Sequence, residues 1–246
     1  FDMGMKFREH MDSMGVECRT ATVTGITDRG QSKVVETADG TGYEARTLIL
    51  ATGAEHASLD APGEEAYKGR GVSYCATCDG AFFRGKDVAV VGGGDVAVED
   101  AIYLARMCRK VWLIHRRDSL RAAKSLQQKL MSCENAEILW NRTLAAVQGA
   151  DLVEKVTLRS VMDETEEELP VDGVFIAVGM HPNTEAFRAA VPCDEKGYVL
   201  AGEDCATKVP GIFAAGDIRT KQVRQIITAA ADGACAVASV EKYLNL

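Results

Sequence analysis

The stretch from Asp87 to Ile114 constrains this chain more than any other. Asp87-Val-Ala-Val-Val91 is mostly apolar, Gly92-Gly93-Gly94 is a turn, residues 96–107 carry helical spacing, and Val111-Trp-Leu-Ile114 is apolar again. Two strands joined through a helix run in the same direction, so this order predicts a βαβ unit and with it a parallel sheet. Ala97, Ala101, Leu104, Ala105 and Cys108 fall at i, i+4, i+7, i+8 and i+11, one stripe of the helix suited to packing on that sheet. The expected fold class is α/β.

Other elements surround this unit. The residues up to about Ser13 read as a helix with Met3, Phe7, Met11 and Met14 as its apolar stripe. Residues 20–27, 33–37 and 42–50 read as strands, with Asp39-Gly40 as the turn between the last two. Pro62-Gly63 and Gly69-Arg70-Gly71 read as a linker. Strands are expected at 153–161 and 170–178, and the acidic run Asp163-Glu-Thr-Glu-Glu-Glu168 between them reads as a solvated hairpin tip. Beyond Pro182 the sequence predicts a short helix, strands near Tyr198 and at 211–215, and a last helix. Its Val223, Ile226, Ile227, Ala230, Ala234 and Val237 define an apolar face expected to be buried.

The chain has 246 residues, enough for one or two domains with a full core. Its 28 Lys and Arg against 36 Asp and Glu leave a formal charge of −8. A nucleic acid gains nothing from such a field, and any anion site has to be local. No apolar run approaches the roughly 18 to 20 residues that span a bilayer. The opening Phe1 to His10 lacks the apolar core of a signal peptide, so the expected setting is cytoplasmic, away from the membrane. The chain begins at Phe1 rather than Met, as a processed product or a fragment would. Of eight cysteines only Cys75 and Cys78 are close-spaced; Cys18, Cys108, Cys133, Cys193, Cys205 and Cys235 are scattered singly, as small buried hydrophobes of an intracellular chain are.

Gly92-Gly-Gly94-Asp95-Val-Ala97 fits G-x-G-x-x-A between a strand and a helix. Gly92 permits the tight turn, Gly94 lets backbone approach a pyrophosphate, Ala97 allows close helix-to-strand packing, and the helix N-terminus offers free N–H groups. An NAD site carries an acid about 20 residues further on. Here the second strand ends instead in His115-Arg116-Arg117, with Arg121 four residues beyond. Guanidinium groups suit a 2′-phosphate through bidentate hydrogen bonds, so the pattern favours NADP(H).

Cys75-Ala-Thr-Cys78 has no second C-x-x-C and no H-x₃₋₅-H to complete a zinc site, so no metal is expected. Beside a βαβ unit it reads as a redox dithiol. Asp79 either moves the proton that thiol–disulfide exchange requires or forms an Asp-Gly turn with Gly80. Nicotinamide delivers a hydride while a disulfide takes electrons through thiolate chemistry; flavin connects the two, which makes FAD the expected third party. Leu48-Ile-Leu-Ala-Thr-Gly53, Val174-Phe-Ile-Ala-Val-Gly179 and Ile212-Phe-Ala-Ala-Gly216 each run from apolar to a small residue and glycine. Three such endings together favour a cofactor at strand C-termini.

These strings, with Gly92-Gly-Gly-Asp-Val-Ala-Val-Glu99, His115-Arg-Arg-Asp-Ser-Leu-Arg121, Gly179-Met-His-Pro-Asn183, Gly211-Ile-Phe-Ala-Ala-Gly-Asp217 and Arg224-Gln-Ile-Ile-Thr228, resemble the low-molecular-weight, bacterial-type thioredoxin reductases over essentially the whole chain. The resemblance implies two Rossmann-like nucleotide-binding domains of the flavin disulfide reductase type. An NADPH domain at 57–183 carries the dithiol and interrupts an FAD domain made of 1–56 and 184–246; the two domains rotate about junctions near Pro62 and Pro182. It implies that NADPH reduces FAD, FAD reduces the Cys75–Cys78 disulfide, and the dithiol reduces thioredoxin. Cys78 would face the flavin, Cys75 attack thioredoxin, and Asp79 act as acid and base. Gly94, Asp95, His115, Arg116, Arg117 and Arg121 would hold NADPH. Ala51, Thr52, Gly53, Gly216, Asp217, Arg224, Gln225 and Ile226 would lie along FAD, with Asp217 on a ribitol hydroxyl. A homodimer is also implied.

Members of the family open with a strand, a G-x-G-x-x-G turn and a helix for the FAD pyrophosphate, which residues 1–53 do not supply. The expectation is an N-terminally truncated chain with an incomplete FAD domain, weaker FAD binding and exposed strand edges prone to aggregation. Two other readings stay open: reduction of another disulfide protein, and a flavin-deficient NADP(H)-binding fragment. Phe82 and Phe83 beside the dithiol read either as a partner patch or as buried packing.

Overall fold

The strand, helix and strand around the glycine turn form at Asp87–Gly92, Asp95–Ala105 and Lys110–His115 in the structure, a computed structural model that describes residues 2–245. Val88, Ala89, Val90 and Val91 are all buried, and successive side chains go to opposite faces of the sheet: Val88 and Val90 join one apolar cluster, Ala89 and Val91 another. A strand buried on both faces is apolar at every position, which is why this one lacks polar alternation.

The chain divides into two compact units, Glu55–His181 and a split unit of Phe1–Ala54 with Pro182–Leu246. Glu55–His181 is built on a five-stranded sheet in the order Val72–Ser73, Gly173–Ala177, Asp87–Gly92, Lys110–His115, Ala136–Trp140, with every pairing parallel. Asp95–Ala105 and Lys124–Met131 cover one face, where Ala97, Ala101 and Leu104 are fully buried. An antiparallel sheet of Arg142–Gly149, Val153–Ser160 and Glu166–Pro170 carries the second cluster, with Val147, Val156 and Leu158 at its centre.

That second sheet corrects the reading of the acidic run. Glu166, Glu167 and Glu168 are in a strand rather than a hairpin tip, and each meets a base: Arg159 at 2.7 Å, Arg142 at 2.7 Å and Lys155 at 2.5 Å. Cross-strand charge complementarity stabilises the strand that a tally of like charges argues against. The expected linker at 62–71 is likewise packed structure. A Cβ on Gly63 would lie 2.0 Å from the Val147 carbonyl oxygen, and one on Gly71 2.5 Å from the Val153 side chain.

The split unit holds an antiparallel meander of Val23–Asp28, Lys33–Thr37 and Gly42–Ala45, and a parallel pair of Leu48–Leu50 with Ile212–Ala214. No strand forms near Tyr198; Val199 makes only isolated bridges. The opening helix is Asp2–Ser13, and Met3, Phe7 and Met14 of its stripe are more than half exposed. Ile226–Leu244, the last helix, buries a different face from the expected one. Val223 before it and Ile226, Ile227 and Val237 on it are exposed, whereas Asp232 and Ala236 are buried. The buried side chains are small except for Asp232, which brings its own cations, so apolar spacing alone pointed to the wrong face. Among the described residues no helix is long and apolar enough to cross a membrane.

Candidate active site

Strand Val72–Ser73 leads into the four-residue helix Ala76–Asp79, whose N-cap is Cys75. Cys75 and Cys78 are joined as a disulfide with Cα atoms 5.3 Å apart. Cys75 Sγ accepts from the Cys78 N–H at 3.2 Å and lies 3.4 Å from the Thr77 hydroxyl. Ala76, the residue between, is buried in the cluster of Ala97 and Ala101, so the dithiol is seated on the helix that follows the glycine turn. Asp79 is half-buried, and its Oδ2 accepts a 2.7 Å hydrogen bond from Ser73 Oγ, which itself accepts from the Cys75 N–H at 3.1 Å. On the supporting helix, burial, reinforced by neighbouring Glu99, pushes the Asp100 carboxyl up to about 6.

The two phenylalanines separate. Phe83 is buried edge-on to Phe175 with ring centroids 5.2 Å apart, and Phe82 is 75% exposed.

At the glycine turn the demands are shared out differently among the three residues. A Cβ on Gly92 would lie 2.5 Å from both the Ala177 carbonyl oxygen and Ala97 Cβ, and one on Gly93 would enter the His115 ring at 2.1 to 2.8 Å. Gly94, the N-cap of Asp95–Ala105, faces open space. His115 is buried beneath the turn, its Nδ1 2.9 Å from the Gly92 carbonyl oxygen and its Nε2 3.0 Å from that of Ser119. Asp95 Oδ1 accepts from the Ala123 N–H at 2.8 Å, and the Arg121 N–H donates to the Gly93 carbonyl at 2.8 Å. These bonds tie the turn to the loop bearing Arg116, Arg117 and Arg121. All three guanidinium groups are exposed, and none has a hydrogen-bond or ion-pair partner among the described residues.

The remaining candidates gather in the split unit. Leu48–Leu50 and Ile212–Ala214 are parallel neighbours, so Ala51-Thr52-Gly53 and Gly216-Asp217 leave the same end of the pair, and the Ala215 N–H bonds the Leu50 carbonyl at 2.8 Å. Thr52 Oγ1 donates to the Asn183 carbonyl at 2.6 Å and Asn183 Nδ2 returns a 3.1 Å bond to that of Thr52. Gly216 takes a left-handed conformation, φ 81°. Asp217 Oδ1 is buried without a hydrogen-bond partner among the described residues. Arg224 lies over the Tyr198 ring, 4.0 Å from its centroid, Gln225 caps the last helix through a capping box with Thr228, and Ile226 is exposed.

Sequence reasoning missed the group that fixes this turn. Asp232 accepts from the Gly216 N–H at 2.9 Å, from Arg219 at 2.6 and 2.8 Å and from Lys221 at 2.8 Å. Burial alone raises a carboxyl, but the bonds from Arg219, Lys221 and Gly216 outweigh it and bring Asp232 to about 2. The available signal was one acid among alanines in Ala229-Ala-Ala-Asp232-Gly-Ala. Ser73 gave no signal of its own.

Residues 3–233 match the sequence pattern of the family described as pyridine nucleotide-disulphide oxidoreductase. That defines the class: proteins that couple a nicotinamide nucleotide to a disulfide. The thioredoxin reductase of Listeria innocua is 46% identical over 245 residues, 99% of this chain and 76% of the relative, and that of Bacillus subtilis 44% identical over 99% and 77%. Among solved structures, thioredoxin reductase from Streptococcus pyogenes superposes with a TM-score of 0.95 at 44% identity, covering 99% of this chain and 80% of that one. The enzyme from Giardia duodenalis gives 0.93 at 32% over 100% and 81%. Within that class, the chain belongs to the thioredoxin reductase family.

Proposed function

We propose that this protein is an NADPH-dependent thioredoxin-disulfide reductase in which electrons pass from NADPH through FAD to Cys75–Cys78 and on to the thioredoxin disulfide. The observation that carries the reading is the Cys75–Cys78 disulfide with Asp79 anchored beside it, in the same unit as the arginine-flanked glycine turn.

The residues fit both nucleotides. Gly94 offers an open face at a helix N-terminus, and Arg116, Arg117 and Arg121 supply unpartnered charge for a 2′-phosphate on a protein of net charge −8. His115 and Asp95 support this loop from beneath by the bonds already described. The buried, unpartnered Asp217 Oδ1 suits a ribitol hydroxyl of FAD, and Ala51, Thr52, Gly53, Arg224, Gln225 and Ile226 lie along the same strand and helix ends. When bound, FAD turns the two-electron hydride of NADPH into a form a disulfide accepts.

In this reading the Cys75–Cys78 bond takes up two electrons and opens to a thiol and a thiolate. The Cys75 thiolate attacks the thioredoxin disulfide, one thioredoxin sulfur leaves as thiolate, and a mixed disulfide forms. Asp79 takes the proton of the Cys78 thiol, Cys78 attacks Cys75, and the internal disulfide re-forms as reduced thioredoxin leaves. A homodimer and a cytoplasmic setting belong to the same reading. The test is NADPH-dependent reduction of a panel of disulfide proteins by the FAD-supplied chain. Thioredoxin turnover that disappears in Cys75→Ser and Cys78→Ser is the expected result; turnover with a different acceptor and none with thioredoxin reassigns the substrate.

A further inference from the structure

Ser73 stands outside every assigned role, yet its side chain joins two parts of the redox motif. It is 5% exposed, at the end of the edge strand Val72–Ser73. Its hydroxyl donates to Asp79 Oδ2 at 2.7 Å and accepts from the Cys75 N–H at 3.1 Å. A hydroxyl has one proton, and of its two acceptors the Asp79 carboxyl oxygen at 2.7 Å is much nearer than the Cys75 carbonyl at 3.4 Å. Donation to Asp79 leaves its lone pairs for the amide, and the chain of bonds runs from the Cys75 N–H through Ser73 to the carboxyl group. A core position needs no such group; an apolar residue fills space there without creating a polar atom to satisfy. Asp79 sits where the short helix Ala76–Asp79 passes into the 3₁₀ turn Gly80–Phe83, and among the described residues Ser73 alone hydrogen-bonds its carboxyl group.

We propose that Ser73 is a positioning residue: its hydroxyl holds the Asp79 carboxyl group at a fixed place against the Cys75–Cys78 pair. This rests on the reading of Asp79 as the proton-transfer group of the dithiol. A carboxylate held near a thiol opposes loss of the thiol proton, and the Ser73 hydroxyl fixes where that carboxylate lies. Removing either the charge or its anchor therefore makes the Cys75 thiolate easier to form.

The experiment uses the full chain with its dithiol reduced and needs no flavin. Cys75 is alkylated by iodoacetamide across pH 5 to 10 and quantified by mass spectrometry of its peptide, which separates it from the other cysteines. Titratable side chains on the elements that hold the motif are Asp79, Cys78 and Tyr74, and, on the helix Asp95–Ala105 that packs against it, Glu99, Asp100 and Tyr103. Asp100 lies inside the scanned range, so Asp100→Asn is the control. We expect Asp79→Asn to lower the midpoint of Cys75 alkylation by about 0.5 to 1 pH unit. Ser73→Ala should move it the same way, and Ser73→Thr, which keeps a hydroxyl, should stay near the parent. If Asp79→Asn moves the midpoint and Ser73→Ala does not, Ser73 has no positioning role and the Asp79 reading stands. If Asp79→Asn leaves the midpoint unmoved, the carboxylate does not act on Cys75 and this inference fails, while proton transfer from Cys78 is judged separately by loss of thioredoxin turnover in Asp79→Asn. Equal shifts in Ser73→Ala and Ser73→Thr would mean that packing, not the hydroxyl, matters, and would overturn the proposal.

Discussion

Two glycine turns follow buried parallel strands in this molecule, and they are held in contrasting ways. Gly92–Gly94 is fixed by shape and by backbone bonds: the His115 ring fills the space a Gly93 side chain would take and meets the carbonyls of Gly92 and Ser119. Gly216–Asp217 is fixed by buried charge, one carboxylate shared by a backbone N–H, Arg219 and Lys221. Among the described residues, the first arrangement leaves its arginines unpaired at the surface, and the second satisfies its cations internally but leaves one buried acceptor, Asp217 Oδ1, without a partner. Tight packing tolerates no added volume, and a buried ion cluster tolerates no lost charge.

The largest effect is expected from Asp232→Asn. It leaves Arg219 and Lys221 buried without their anion and should cost about 3–5 kcal/mol of stability in denaturant unfolding. A cost near zero would mean that the cluster does not hold the turn. The same pair of proteins tests the charge directly. Asp232 is ionised in the fold down to about 2, below the ordinary carboxylate value of about 4, so its stabilisation is present above about pH 4 and is lost as pH falls toward 2. The gap between parent and variant should narrow over that window. At the other turn, Arg117→Ala removes a charge-assisted contact of about 1.5–3 kcal/mol, which should raise KM for NADPH roughly tenfold or more and leave NADH nearly unchanged. Equal loss for both nucleotides would remove the 2′-phosphate from the account. Gly93→Ala adds volume against His115 and should cost about 1–3 kcal/mol in thermal or denaturant unfolding, the smallest effect of the series.

The parts legible in the sequence are those whose causes lie close together along the chain. Strand, glycine turn and helix at 87–105 announce themselves through apolar runs and local conformational need, and Cys75 with Cys78 through spacing. The last helix misled because its strongest apolar stripe, Ile226, Ile227 and Val237, is exposed, while its buried face depends on Asp232 meeting cations from a loop earlier in the chain. Glu166–Glu168 misled for a related reason: a strand of acids is stable only beside Arg142, Lys155 and Arg159, and sequence order does not reveal that pairing. Ser73 is unreadable in principle, since a serine in a strand carries no mark of the partner its hydroxyl finds. The three arginines after His115 were readable as a cationic cluster, and the structure adds that no internal acid neutralises them among the described residues.

The most direct test follows electrons to the dithiol. The FAD-supplied chain is mixed anaerobically with NADPH or with NADH, quenched with an alkylating reagent, and the Cys75–Cys78 peptide is weighed. NADPH is expected to convert this peptide from disulfide to the doubly alkylated form, and an equal amount of NADH to do so far less. A peptide that stays disulfide-bonded while NADPH is consumed would contradict it.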